Sequence, residues 1–239
     1  MRNWFPFTDY DFYGYLTSGF TIMFALDVAF NSGDIVLHSD WTFVQVILAV
    51  AFAYAVGQLA AWPSSMLLEH FFARTLLHSP FDVQVRAASP RFVERAINKV
   101  VTGQGYLPLG DDALEKMVAR ASTITGKPAS YYEEKPGRLF QPAYEFAKSM
   151  PDTRERIDNF RNLYGLTRNL AFVGLVSAAM LALGAGLVEG GDLGTWAVVA
   201  LAAGVGMLAR YLKFYSAFAS EVTRSFAYRE PKEVSTDKS

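Results

Sequence analysis

The sequence predicts an all-α membrane protein with four transmembrane helices in two hairpins and an inserted, mainly helical cytoplasmic domain. Hydrophobic residues make up 51% of the 239 residues, and the mean hydropathy of +0.16 is too high for an ordinary soluble chain. Long uncharged stretches lie near both ends, whereas most charged residues lie in the middle. One chain is therefore expected to meet two environments, lipid and water.

Four apolar segments come close to the roughly 20 helical residues that cross a bilayer core about 30 Å thick. They span residues 13–30, 41–62, 170–188 and 195–212. The short polar turns 31–34 and 189–192 join them in pairs, which predicts two hairpins. Trp and Tyr residues near the segment ends agree with these spans, because both residue types prefer the membrane interface.

The distribution of Lys and Arg predicts the orientation in the membrane. Both hairpin turns lack basic residues, while the segment between the hairpins and the tail after the fourth span contain many. Basic residues near helix ends tend to stay on the cytoplasmic side. Both termini and the middle domain are therefore expected in the cytoplasm.

The predicted domains are an N-terminal transmembrane hairpin (1–62), a cytoplasmic helical domain (63–165), a C-terminal hairpin with a helical extension (166–229) and a disordered tail (230–239). The second span is expected to continue inward past Pro63, since proline is tolerated in the first turn of a helix. One long helix is expected from Asp152 into the third span, and an apolar stripe extends the fourth span to Phe226. The stretch 125–142 is rich in Gly and Pro and is predicted to be a loop.

Composition and motif spacing exclude several functions. The chain has no Cys, so thiol catalysis and disulfides are excluded. A net charge of −1 gives no basic field, and nucleic acid is not an expected partner. No spacing typical of a catalytic triad, a metal site or a nucleotide loop occurs, so no enzyme activity, no metal and no cofactor are predicted. The adjacent pair Glu69 and His70 does not make a metal site.

Asp27, in the outer half of the first span, is a candidate pore or cation-site residue. An ionisable side chain at membrane depth is costly, which makes it a functional hypothesis by default. Gln45 lies at similar depth on the second span and is its expected partner. The somewhat favoured alternative is that water or a neighbouring helix stabilises Asp27 near the outer interface.

A second polar set is expected near the inner membrane surface and consists of Gln58, Arg168, Asn169 and Arg210. These side chains are candidates for a polar cluster or a pore lining. The favoured alternative is that the arginines extend to lipid phosphates, as basic residues near helix ends usually do.

Small residues predict close helix packing in the second hairpin. Gly174 on the third span and Ala200, Gly204 and Gly206 on the fourth create smooth helix faces. Such faces let membrane helices approach each other closely. They would join the two hairpins of one subunit, or join subunits.

Three runs, DFYGYL (11–16), YAVGQ (54–58) and YGLTRNL (164–170), resemble a loosely defined group of uncharacterised bacterial four-helix membrane proteins. The likeness covers both hairpins but not the middle domain. It implies a location in the bacterial inner membrane and assigns no activity. Where that group has a His after the glycine of the second span, this chain has Gln58.

The leading functional hypothesis is a homo-oligomeric inner-membrane protein whose hairpins form a pore or perturb the bilayer, as membrane effectors of bacterial antiviral defence do. Its expected partners are the lipid bilayer, further copies of itself, and a cytoplasmic protein or small-molecule ligand sensed by the middle domain. The alternative is a non-conducting scaffold that anchors a cytoplasmic partner. A membrane-embedded lipid enzyme is the least favoured reading, because no catalytic constellation is visible.

Overall fold

The structure, a computed structural model, describes residues 9–30, 40–102, 105–187 and 192–230. All regular elements in these ranges are helical, which confirms the all-α prediction. The α-helices are α1 (Asp9–Ala29), α2 (Phe43–Ser64), α3 (Pro80–Gln84), α4 (Phe92–Ile97), α5 (Asp111–Thr125), α6 (Ala129–Glu133), α7 (Phe140–Ser149), α8 (Pro151–Leu187) and α9 (Leu193–Tyr228). Two π-helices (Ser65–Leu76 and Asn98–Thr102) and a 3₁₀ helix (Pro136–Leu139) complete the set.

Three helical stretches are long and apolar enough to span a membrane, which supports a membrane protein. They are Phe43–Gln84, Pro151–Gly186 and Leu193–Tyr228. Over the described residues, the first predicted span contributes a shorter apolar helix, Gly14–Ala29. Of the two predicted turns, 31–34 and 189–192, only Asp192 lies within the described residues. The predicted span at 13–30, and with it the total of four spans and the two-hairpin arrangement, therefore stays a prediction.

The second span continues as a helix past its proline, as predicted. Thr42 begins α2 with a capping box, in which Thr42 and Gln45 each bond the other's backbone N–H. Pro63 lies inside α2, near its end, where it cannot donate a backbone hydrogen bond. The chain then changes from α-helical to π-helical geometry at Ser65.

The chain divides into two compact units. Unit 1 contains Met1–Thr75 and Asn162–Leu212, and unit 2 contains Leu76–Arg161 and Lys213–Ser239. The predicted boundary at 62/63 lies before the first π-helix, most of which groups with unit 1. The predicted boundary at 165/166 lies shortly after the division between Arg161 and Asn162. The extension of α9 belongs to unit 2 instead of the C-terminal hairpin.

Side-chain contacts explain why the end of α9 belongs to unit 2. Arg229 donates to the Thr153 hydroxyl at 2.5 Å and to Glu221 at 3.2 Å. Arg120 on α5 donates to the carbonyls of Phe226 (2.5 Å) and Arg229 (2.7 Å), which satisfies free carbonyls at the end of α9. The single long helices predicted across the third and fourth spans are confirmed as α8 and α9. The predicted disordered tail, apart from Glu230, lies outside the described residues.

The prediction of a loop at 125–142 is wrong in large part, because α6, the 3₁₀ helix and the start of α7 lie there. Gly126 ends α5 with a left-handed backbone (φ 69°), which glycine adopts without strain. Pro128 then precedes α6, and Pro136 begins the 3₁₀ helix. At these positions a proline interrupts no helical hydrogen bond. Gly and Pro therefore separate short helices here.

Candidate functional site

The π-helix Ser65–Leu76 presents a polar surface that its geometry creates. Residues five apart are neighbours in a π-helix, and Arg74 accordingly donates to Glu69 at 3.0 Å. The Thr75 hydroxyl donates to the His70 carbonyl at 3.0 Å with the same spacing. π-Helical geometry is rare in proteins, and the single π-helical turns found within α-helices lie frequently at functional sites.

Glu69 is the centre of this surface because it binds two arginines. Arg168 of α8 donates to Glu69 Oε2 at 2.5 Å, while Arg74 contacts Oε1. Ser65 also donates to Oε2 at 3.4 Å. The Glu69 and Arg168 side chains are only 15% and 14% exposed, whereas Arg74 is 53% exposed. The Glu69–Arg168 pair is thus a largely desolvated charge-assisted contact, the strong class of hydrogen bond.

The predicted inner polar set is divided by the structure. Arg168 Nη2 lies 3.4 Å from Asn169 Oδ1, so those two residues belong to the Glu69 network. Gln58 is exposed and donates to the Tyr54 hydroxyl at 2.8 Å. Arg210 is also exposed. Sequence analysis weighed Glu69 as a metal ligand and did not connect it with Arg168.

Asp27 is fully buried within unit 1. The end of α1 packs on α8 and α9, where Ala29 belongs to an apolar cluster with Leu181, Leu193 and Ala197. Gln45, its expected partner, is exposed and accepts two hydrogen bonds from Thr42 at 2.8 and 2.9 Å. A single chain therefore presents Gln45, but not Asp27, to its surroundings.

The small residues of α8 and α9 lie at a close helix crossing. A methyl group on Gly174 would lie 2.7 Å from Gly204 Cα and 3.3 Å from the Ala200 carbonyl oxygen. Gly206 faces open space and takes no part in this contact. The crossing therefore joins helices of one chain at Gly174, Ala200 and Gly204.

Sequence reasoning missed an equally close contact between α1 and α2. A side chain at Gly19 would overlap the backbone of Ala53, and one at Gly57 would overlap the backbone of Tyr15. Small residues four apart, such as Ala53 and Gly57, are the signal that predicts such contacts. These contact pairs run in opposite sequence directions, so α1 and α2 are antiparallel neighbours.

Unit 2 contains a buried polar group around Glu94. Glu94 is fully buried and accepts from the backbone N–H groups of His78 and Arg91. The His78 ring nitrogen Nδ1 lies 3.1 Å from its Oε1 atom. Burial, with Tyr215 and Glu94 nearby, raises the pKa of the Tyr106 phenol above its ordinary value. The Tyr106 hydroxyl is buried and has no hydrogen-bond partner among the described residues.

A surface pocket of about 340 Å³ also lies in unit 2, between α5, α6 and the 3₁₀ helix. Its apolar lining includes Val118 and Tyr132, and three carboxylates stand around it. The lining residues are Asp111, Leu114, Glu115, Val118, Tyr132, Glu133 and Pro136. A pocket with carboxylates at its edge and apolar side chains at its base suits a ligand that combines a positive charge with an apolar group.

Among the described residues, no group of three or more His, Asp or Glu side chains is arranged to hold a metal ion. No family model, curated protein or solved structure matches the chain. The function must therefore be argued from the geometry of this chain.

Proposed function

We propose that the chain is a multi-pass protein of the bacterial inner membrane with four spans in two hairpins and cytoplasmic termini. Several copies assemble, and their helices form a pore that unit 2 opens and closes. The sequence pattern of basic residues supports the orientation, and the antiparallel contact of α1 with α2 supports the first hairpin.

The observation that carries the proposal is that most of the surface of two spanning helices is not covered by the rest of the chain. Only 17% of the apolar window in Phe43–Gln84 and 11% of that in Leu193–Tyr228 is buried within the chain. Gln45, Gln58 and Arg210 lie exposed on these helices. Polar side chains in a membrane usually face a neighbouring helix or water. If further copies packed against these helices, the three polar side chains would lie in the interior of the assembly.

The Glu69–Arg168 pair is the proposed gating contact. It joins the π-helix that follows α2 to α8, and therefore connects the first hairpin to the second. Both α8 and α9 contain residues of unit 1 and unit 2. A ligand that binds one conformation of unit 2 more tightly shifts the population of a coupled pore.

An ion-flux assay on the full chain in liposomes tests this function. We expect a measurable flux, and we expect Glu69→Gln and Arg168→Gln to change it by tenfold or more, roughly 1.4 kcal/mol in the gating equilibrium. Arg74→Gln is the matched control, because it removes the exposed partner of the same carboxylate. Absence of flux from assembled protein, or an equal effect of Arg74→Gln, would contradict the proposal.

A scaffold that anchors a cytoplasmic partner is the second candidate, and the acidic pocket of unit 2 favours it. In that case Glu115→Lys and Glu133→Lys would abolish capture of a basic partner. Substitution of Glu69 or Arg168 would leave capture intact, and no flux would occur in any variant.

A further inference from the structure

The helical segment 91–101 of unit 2, formed by α4 and the second π-helix, has two different sides. Its inner side carries Glu94 (0% exposed) and Asn98 (7%). Its outer side carries Phe92 and Val100, which are 81% and 83% exposed, and Val93 at 54%. Apolar side chains of this size exposed together mark a binding surface.

The exposed charges next to these apolar side chains have one sign. Arg95 and Lys99 are exposed, whereas the acidic residue of the segment, Glu94, points inward to His78. Arg91, at the start of the segment, donates to the Leu76 carbonyl at 2.6 Å. Among the described residues, the side chains of Arg95 and Lys99 form neither hydrogen bonds nor ion pairs. The exposed side of the segment is therefore both apolar and cationic.

We propose that this surface, which we term the basic-apolar face (Phe92, Val93, Val100, Arg95, Lys99), binds the anionic lipid surface of the membrane. Exposed apolar side chains beside Lys and Arg are the pattern of helices that lie in the headgroup region. Phosphate groups of acidic lipids neutralise Arg95 and Lys99, while Phe92 and Val100 enter the acyl boundary. A second copy is the poorer occupant, because a symmetric contact would bring like charges together.

A single fluorescent label can test this contact, because the chain contains no Cys. Ala96, an exposed residue of the segment, is changed to Cys and labelled with a dye whose emission shifts to the blue in apolar surroundings. The full chain is placed in nanodiscs of phosphatidylcholine, alone or mixed with phosphatidylglycerol. We expect a blue shift with phosphatidylglycerol that high salt reverses. Ile124→Cys, at an exposed position of α5 in the same unit, is the control and should not respond.

Charge and apolar variants separate the two contributions. Each of Arg95→Gln and Lys99→Gln should lower the ratio of bound to unbound segment about fivefold, the equivalent of about 1 kcal/mol per basic residue. Phe92→Ser should lower it in both lipid mixtures. Lys127→Gln and Lys135→Gln, single changes at exposed positions elsewhere in unit 2, each remove one positive charge and should leave the shift unchanged.

Three results would overturn the proposal. One is equal emission of the Ala96 label in both lipid mixtures, and another is an equal response of the Ile124 label. The third is a blue shift in detergent that depends on protein concentration, which would identify a second copy as the occupant.

Discussion

At the scale of single residues, the Glu69–Arg168 pair decides how unit 1 responds to substitution. Both charges are largely desolvated, so removing one leaves the other without its closest counter-ion. We expect Arg168→Met to lower the free energy of unfolding by about 3 kcal/mol. Arg74→Met should cost about 1 kcal/mol or less, because Arg74 is exposed to solvent.

Unfolding of the two variants in the same detergent measures this difference. The double variant Glu69→Met/Arg168→Met should recover much of the loss, since it removes both buried charges together. Equal losses for Arg74→Met and Arg168→Met would show that the pair is not desolvated.

Tyr106 gives a prediction about alkaline pH. Its phenol is buried, and its folded pKa is raised above the unfolded value of about 10. The folded state therefore binds this proton more tightly than the unfolded state does. The contribution of Tyr106 to the free energy of unfolding is therefore fully present below pH ~10. Above pH ~10 the free energy of unfolding falls, by up to about 1.4 kcal/mol per pH unit.

The Tyr106→Phe variant removes this titration and also the unpartnered hydroxyl. We expect stability at neutral pH to be unchanged or higher, because no hydrogen bond of that hydroxyl is lost among the described residues. Its decline above pH ~10 should be shallower than that of the native chain. Unfolding curves at several pH values test both points, and a less stable variant at neutral pH would reveal a partner for the hydroxyl.

At the scale of helices, the crossing of α8 and α9 depends on the absence of side chains. We expect Gly174→Ala to destabilise the protein by about 1–3 kcal/mol, because the added methyl meets the backbone of Gly204, which cannot move aside freely. Gly206→Ala is the matched control: its methyl meets open space, and it should be neutral or stabilising. Unfolding in detergent compares the two, and similar losses would place the crossing elsewhere.

Periodicity predicted the long helices α8 and α9 because apolar residues that recur at helical spacing without interruption favour a single helix. It could not predict that the helix after Pro63 is π-helical, since that geometry becomes visible only in the Glu69–Arg74 and His70–Thr75 contacts. The prediction of a loop at 125–142 was wrong because Gly and Pro occur at the ends of helices as well as in loops.

For the candidate residues, the sequence could predict contacts between close neighbours along the chain but not contacts between distant residues. Arg168 and Asn169 are neighbours in sequence and share one network, but their acidic partner Glu69 is far away along the chain. The burial of Asp27 results from packing by α8 and α9, which no pattern within the first span encodes.

At the scale of the whole molecule, the exposed apolar helices and the polar residues on them support an assembly of several copies in a bilayer. Association in lipid relies on close packing and on polar contacts between helices. Gln45, Gln58 and Arg210 are the side chains that such contacts would cover. The α8–α9 crossing is already formed within one chain, so the proposed assembly would use other faces.

The most direct test of this account is native mass spectrometry of the full chain released from lipid nanodiscs. We predict a single closed assembly of several copies, which Gln58→Leu or Arg210→Leu redistributes to smaller species. A monomer across the whole range of protein concentrations would contradict the account, because four helices of one chain would then have to form the pore alone.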